Sequence, residues 1–210
     1  GCIAIGDELG EQEIGSAGQV HLTGASETAF NPLPSTVQLQ VTGADLSSDP
    51  LDVAVLMNGA PLPTSAYQVV GNTISGIALS DGANHLEFLA ADGEGLLLSY
   101  EATLWAGSES VTVDVQDGIG GALNGATVTA RLLDDSSIAA TATSAGGQVQ
   151  FQSLPQRTIL LSASDGADGL AEAVLDLSQQ VSPGISAAAG SSTTMKLTKK
   201  AVSITGLVLN

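Results

Sequence analysis

The 210-residue chain carries 22 acidic against 5 basic side chains, a formal charge of −17, and is 43% hydrophobic with only 3% aromatic residues. Its bases are Arg131, Arg157, Lys196, Lys199 and Lys200, so residues 1–130 set 16 acids against no Lys or Arg; that excludes the basic footprint of a nucleic-acid binder and disfavours an anionic membrane surface. A lone cysteine, Cys2, excludes an internal disulfide and any CxxC site, and no stretch reaches the ~18 apolar residues of a membrane helix.

Residues 1–34, rich in Gly, Ser and acids, read as an extended acidic N-terminal segment with one apolar run, QVHLTG at Gln19 to Gly24. The segment closes on NPLP, where Pro32 and Pro34 favour extended backbone over helix. Gly1-Cys2 has the form of a lipobox cleavage site, which makes Cys2 the candidate lipidation site; any membrane contact is expected only through such an anchor. From Thr36 the chain changes to period-two runs, TVQLQVTG, LDVAVLMNG, AYQVVGN, NHLEFLAADG and LLLSYEATLWAG, separated by the turn pairs Asn58-Gly59, Asp81-Gly82 and Asp92-Gly93. Short alternating strands between turn dipeptides predict a first β-sandwich over 35–107, with Trp105 at its end packing in a core or between domains. A second series, SVTVDVQDG, ATVTARLLD, SIAATATSA, GQVQFQSLP, TILLSASDG and STTMKLT, predicts another sandwich over 108–198. GLAEAVLDLSQQ, near residues 169–180, fits a helix or a strand equally well, and residues 199–210 read as a terminal strand.

The run VDVQDGIGGALNGATVTARL followed by TATSAGGQVQFQSLP resembles the carboxypeptidase regulatory-like (transthyretin-like) family of bacterial surface proteins, through Asp117, Gly120, Gly125, Ala126, Val128, Thr141, Thr143, Gly147, Phe151, Leu154 and Pro155. It is also similar to the related Ig-like repeats of adhesins. After the Leu-Pro the family continues with Gly and Tyr, where this chain has Gln156, Arg157 and Thr158. The preceding SDGANHLEFLAADGEGLLLSYEATLW resembles another Ig-like pattern through Gly82, Asn84, Leu86, Ala91, Asp92 and Gly95. These resemblances imply an all-β chain of two tandem immunoglobulin-like antiparallel β-sandwiches behind an extended N-terminal segment, and they imply no catalysis.

His21 and His85 each sit in a strand pattern, and with no G-x-S-x-G elbow and no HExxH the residues support neither a triad nor a zinc site. Hard oxygen ligands are available in Asp45, Asp49 and Asp52 of DLSSDPLD, in Asp92 and Glu94 of ADGEG, and in Asp165 and Asp168 of SDGADG. They are candidate calcium ligands at sandwich ends, although Asx turns account for the same residues without an ion; no other cofactor is expected. KAVSITGLVLN matches ESVTVDVQDG in its polar lead and Val-Ser/Thr alternation, so it reads as the first strand of a further sandwich, either cut short or donated to a neighbouring subunit. The expected role is a non-catalytic structural or adhesion module at a bacterial outer surface, binding protein or glycan there. Two alternatives stand beside it: a fibre subunit self-assembling through residues 201–210, and an accessory ligand-binding module of an exported hydrolase.

Overall fold

The computed structural model describes residues 18–43, 53–91, 97–166, 169–178, 191–196 and 198–199. Cys2, Asp45, Asp49, Asp52, Asp92, Glu94, Asp168 and residues 201–210 lie outside them. The described residues are strands joined by turns, with a single 3-10 turn at Thr64–Ala66. In chain order the first sandwich contains β1 (Gln19–Thr23), β2 (Asn31–Pro32), β3 (Thr36–Thr42), β4 (Ala54–Met57), β5 (Ala60–Pro61), β6 (Gln68–Val70), β7 (Thr73–Ala78), β8 (Gly82–Ala91) and β9 (Leu97–Gly107). They form a four-stranded sheet, β1-β3-β7-β6, facing a five-stranded sheet, β2-β9-β8-β4-β5. Alternate side chains of both sheets meet in one core around Leu39, Ile74, Ile77, Leu86, Phe88 and Leu104, all 0% exposed. With one side chain in two pointing inward, small aliphatic residues fill this layer without a run of aromatics.

The second sandwich contains β10 (Glu109–Gln116), β11 (Thr127–Leu132), β12 (Ala139–Thr143), β13 (Gln148–Leu154), β14 (Thr158–Ser164), β15 (Gly169–Asp176), β16 (Ser191–Lys196) and β17 (Thr198–Lys199). A three-stranded sheet, β13-β10-β16, faces a five-stranded sheet, β12-β11-β14-β15-β17. Val113, Val128, Leu154, Ile159 and Leu161 lie at the centre of its core.

The all-β sandwich architecture matches the sequence pattern; three details differ from it, and one open choice is decided. Gln19–Thr23, placed by sequence in an extended segment, pairs along its whole length with β3, and Asn31–Pro32 pairs with the end of β9. The strand β7 breaks period two: Val37 pairs with Ile77 but Leu39 with Ile74, and Gly76 takes up the extra residue at φ 82°. Such a bulge puts two inward isoleucines three residues apart, which hides the strand from an alternation search. GLAEAVLD is a strand, because Ala171, Ala173 and Leu175 pack on the core while Leu170, Glu172, Val174 and Asp176 face out. Finally, two pairs run parallel rather than antiparallel, β2 with β9 and β10 with β16.

Strand direction fixes how the chain traverses each sandwich. The strand β1 starts beside the end of β3, whereas β9 finishes beside the start of β8, so the chain crosses the first sandwich from one end to the other. In the second sandwich β10 starts where β13 finishes, and β17 pairs with the first residues of β15, at the opposite end. The second sandwich thus has a joint end, where β10 starts, and a distal end, where β17 pairs with β15.

Candidate functional site

The most elaborated place in the molecule is the joint between the sandwiches. Only Ser108 separates β9 from β10, so the two units are joined by almost continuous strand. Along β9 the inward row Leu98, Ala102, Leu104 and Ala106 is buried in the first core, while Ser99, Glu101 and Thr103 of the outward row are exposed. Trp105 continues that outward row, yet it is only 8% exposed, because it is a member of the second core. Phe30 and Ala83, also from the first sandwich, pack against the same cluster. The first unit therefore lends its largest side chain to the hydrophobic core of the second.

Polar contacts hold the backbone around that ring. Asn31 and Asn84 are buried, and each completes its hydrogen bonding in the same way. The Asn84 Nδ2 donates to the carbonyls of Ser80 (2.8 Å), Gly82 (3.1 Å) and Leu104 (3.3 Å), while its Oδ1 accepts from the Ser80 N–H (2.8 Å) and hydroxyl (3.0 Å). Asn31 Nδ2 donates to the carbonyls of Ser26 (2.9 Å) and Trp105 (3.0 Å), and its Oδ1 accepts from the Ser26 N–H (2.7 Å). Two buried amides thus grip consecutive carbonyls of β9 from opposite sides, adding side-chain hydrogen bonds to the strand pairing on either flank.

The second sandwich meets this end with the segment after β13. A Cβ on Gly107 would lie 2.0 Å from the Leu154 carbonyl oxygen, so only glycine allows the two backbones to touch. The Gln156 N–H donates to Asp81 Oδ1 at 3.0 Å, and its side-chain Nε2 to Glu109 Oε1 at 3.2 Å. The Arg157 guanidinium lies 5.8 Å above the centroid of Trp105, within cation–π range. On the other flank the Ala139 N–H donates to the Thr28 carbonyl at 3.4 Å. Asp81, read from sequence as a turn residue, is also a joint residue, and so are Gln156 and Arg157, which stand where the resembled family has Gly and Tyr.

Among the calcium candidates only Asp165 lies within the described residues. Its Oδ1 accepts from the Gly169 N–H (3.0 Å) and its own N–H donates to the Gly169 carbonyl (3.3 Å), closing the β14–β15 hairpin. Asp117 repeats the device four residues before Gly121, with its Oδ1 accepting from the N–H of Ile119 (3.1 Å) and Gly121 (2.7 Å). Both carboxylates act as loop caps at the distal end. No cluster of three His, Cys, Asp or Glu suited to a metal exists among the described residues.

The histidines lie on different sheets, His21 on β1 and His85 on β8. Glu87 and Glu101 face each other across β8 and β9, and His85 Nε2 sits 3.4 and 3.3 Å from their carboxylates. A surface groove of about 320 Å³ is lined by Val20, His21, Leu22, Ala25, Glu27 and Tyr100. There the Tyr100 hydroxyl donates to the Glu27 carboxylate; partial burial, then that hydrogen bond and the Glu27 charge, push the phenol above its ordinary value.

No protein-family model matches the chain, and no curated protein sequence matches it. Solved structures similar to it include BcpA, the major pilin subunit of Bacillus cereus, at 9% identity over 87% of this chain and 71% of that one, with a TM-score of 0.34. The group B streptococcus pilus 2b backbone protein aligns at 11% identity over 86% of this chain and 98% of its own, TM-score 0.34. A C-terminal fragment of the pilus adhesin SpaC from Lactobacillus rhamnosus GG aligns at 14% identity over 89% and 90%, TM-score 0.27.

Proposed function

We propose that the chain is a non-catalytic structural or adhesion module at an extracellular, bacterial surface, built to hold two β-sandwiches in one fixed relation. The observation that carries this reading is Trp105: a strand of one unit supplies a buried ring to the core of the next, locked by Gly107, Asp81 and Arg157. Such a joint transmits position and tension from unit to unit, a use for which neither a pocket nor a nucleophile is needed. The acidic surface fits the same role, since residues 1–130 hold no Lys or Arg and like copies repel. The domain division at residue 108, calcium at the acidic loops and lipid attachment at Cys2 belong to this proposal.

Nuclear relaxation of the full chain tests the fixed joint: one rotational correlation time for both sandwiches is expected, and two independent times would overturn it. A membrane-impermeant antibody against the chain should label intact cells of the producing organism; labelling only after lysis would overturn the surface location. A second reading, self-assembly through residues 201–210, is favoured by one observation, that the last described strand, Thr198–Lys199, stands at the distal end of the second sandwich shortly before that segment. Light scattering before and after deleting 201–210 decides it, because a donated strand predicts multimers that vanish on deletion.

A further inference from the structure

The strands through which the chain enters and leaves the second sandwich are hydrogen-bonded neighbours that run in the same direction. The strand β10 follows the joint directly, β16 is the last long strand among the described residues, and they pair without a break from Val111↔Ser191 to Gln116↔Lys196. We infer that this parallel pair is a tension clamp, which makes the second sandwich the load-bearing element of the chain.

The argument is one of direction. Tension along the chain pulls β10 by its first residue toward the joint and β16 by its last residue toward the distal end. The two strands must then slide past each other along their own axes. Evenly spaced ladder bonds of a parallel pair all oppose that sliding together, so none yields before the others. Were the same strands pulled apart from one common end, the bonds would open one after another. The pair is also anchored on its other side, where β10 is bonded to β13 and sends Val111, Val113 and Val115 into the core at 0% exposure. Among the described residues of the first sandwich, β1 and β9, through which the chain crosses it, lie in different sheets, and the parallel pair β2 with β9 spans only two residues at the joint.

This inference rests on the structural reading above for its use to the cell, but the clamp is measured without it. In a Cys2→Ser background of the full chain, handles are attached through Ser108→Cys with Lys200→Cys, or through Ile119→Cys with Lys200→Cys. Ser108 is exposed and Ile119 is 96% exposed in the loop that follows β10, so neither handle disturbs the fold. The first pair of handles shears β10 against β16; the second draws the same strands apart from the distal end. Single-molecule pulling should give a rupture force several-fold higher in the first geometry, since forced unfolding reads the barrier rather than the equilibrium stability. Equal forces in the two geometries would overturn the clamp. A clear difference in a chain found only inside cells would leave the clamp standing and remove the surface reading.

Discussion

The two sandwiches have the same layered architecture but secure their ends by different means. The first grips β9 with two buried asparagines and then projects Trp105 out of its own core. The second receives that ring, seals the contact with backbone at Leu154 and Pro155, and hydrogen-bonds its own first and last long strands to each other. One unit thus supplies the ring and the other receives it. The difference shows that a sandwich need not be symmetric in use even where both cores are built from the same small aliphatic residues.

The largest test of that contrast is Trp105→Ala. Removing a buried aromatic costs about 3–5 kcal/mol, and here the loss should fall on the second sandwich although the residue belongs to a strand of the first. Urea unfolding followed by resonances of each unit checks it; a loss confined to the first sandwich would break the comparison. Gly107→Ala should follow at about 3 kcal/mol, because its methyl would meet a carbonyl oxygen that cannot rotate away. Trp105 is the only tryptophan, so a red shift of intrinsic fluorescence would report the joint opening.

Asn84→Ala should cost about 2 kcal/mol by removing the buried partner of the Ser80 N–H and carbonyl. Its counterpart, Ser144→Ala in the second unit, removes bonds to the Ala126 N–H and the Leu123 carbonyl and should cost about 1 kcal/mol, with differential scanning calorimetry reading both. Arg157→Ala should remove about 0.5–1 kcal/mol, the worth of a cation over an indole, and shift tryptophan emission without separating the units.

The smallest effect at neutral pH belongs to Tyr100. Burial and Glu27 raise its phenol in the folded state, so the native protein keeps a proton that the unfolded chain loses above pH about 10. The stabilisation is complete below that pH and is lost as pH rises toward the folded value. Tyr100→Phe should lower stability at neutral pH by about 0.5 kcal/mol, the worth of one partly exposed hydrogen bond, and flatten the alkaline fall, as pH-dependent urea midpoints would show.

Much of the fold is legible in single residues. Asn58-Gly59 specifies a tight hairpin, and both residues adopt the left-handed backbone that a type I′ turn requires, φ 55° and 76°. Alternation in SVTVDVQ and NHLEFLA marks β10 and β8 because each strand has one buried and one open face. It fails for β7, where Gly76 shifts the register, and it cannot decide GLAEAVLD, whose apolar residues lie on both faces. Of the joint, only Trp105 carries a signal in the sequence. Asn84 is a polar residue at an inward position of its strand, a flag that becomes meaningful once the neighbouring carbonyls are known.

Local chemistry alone determined the all-β class, the turns, the small aliphatic cores and the absence of any Lys or Arg before Arg131, because periodicity, glycine conformation and charge act over a few residues at a time. Tertiary structure alone decided which strands became neighbours: that Gln19–Thr23 belongs to the first sheet, that Asp81 reaches Gln156, and that β10 runs beside β16 in the same direction. Those contacts join residues far apart in the chain, and their geometry is selected by the packing of whole sheets, which no short stretch of sequence encodes.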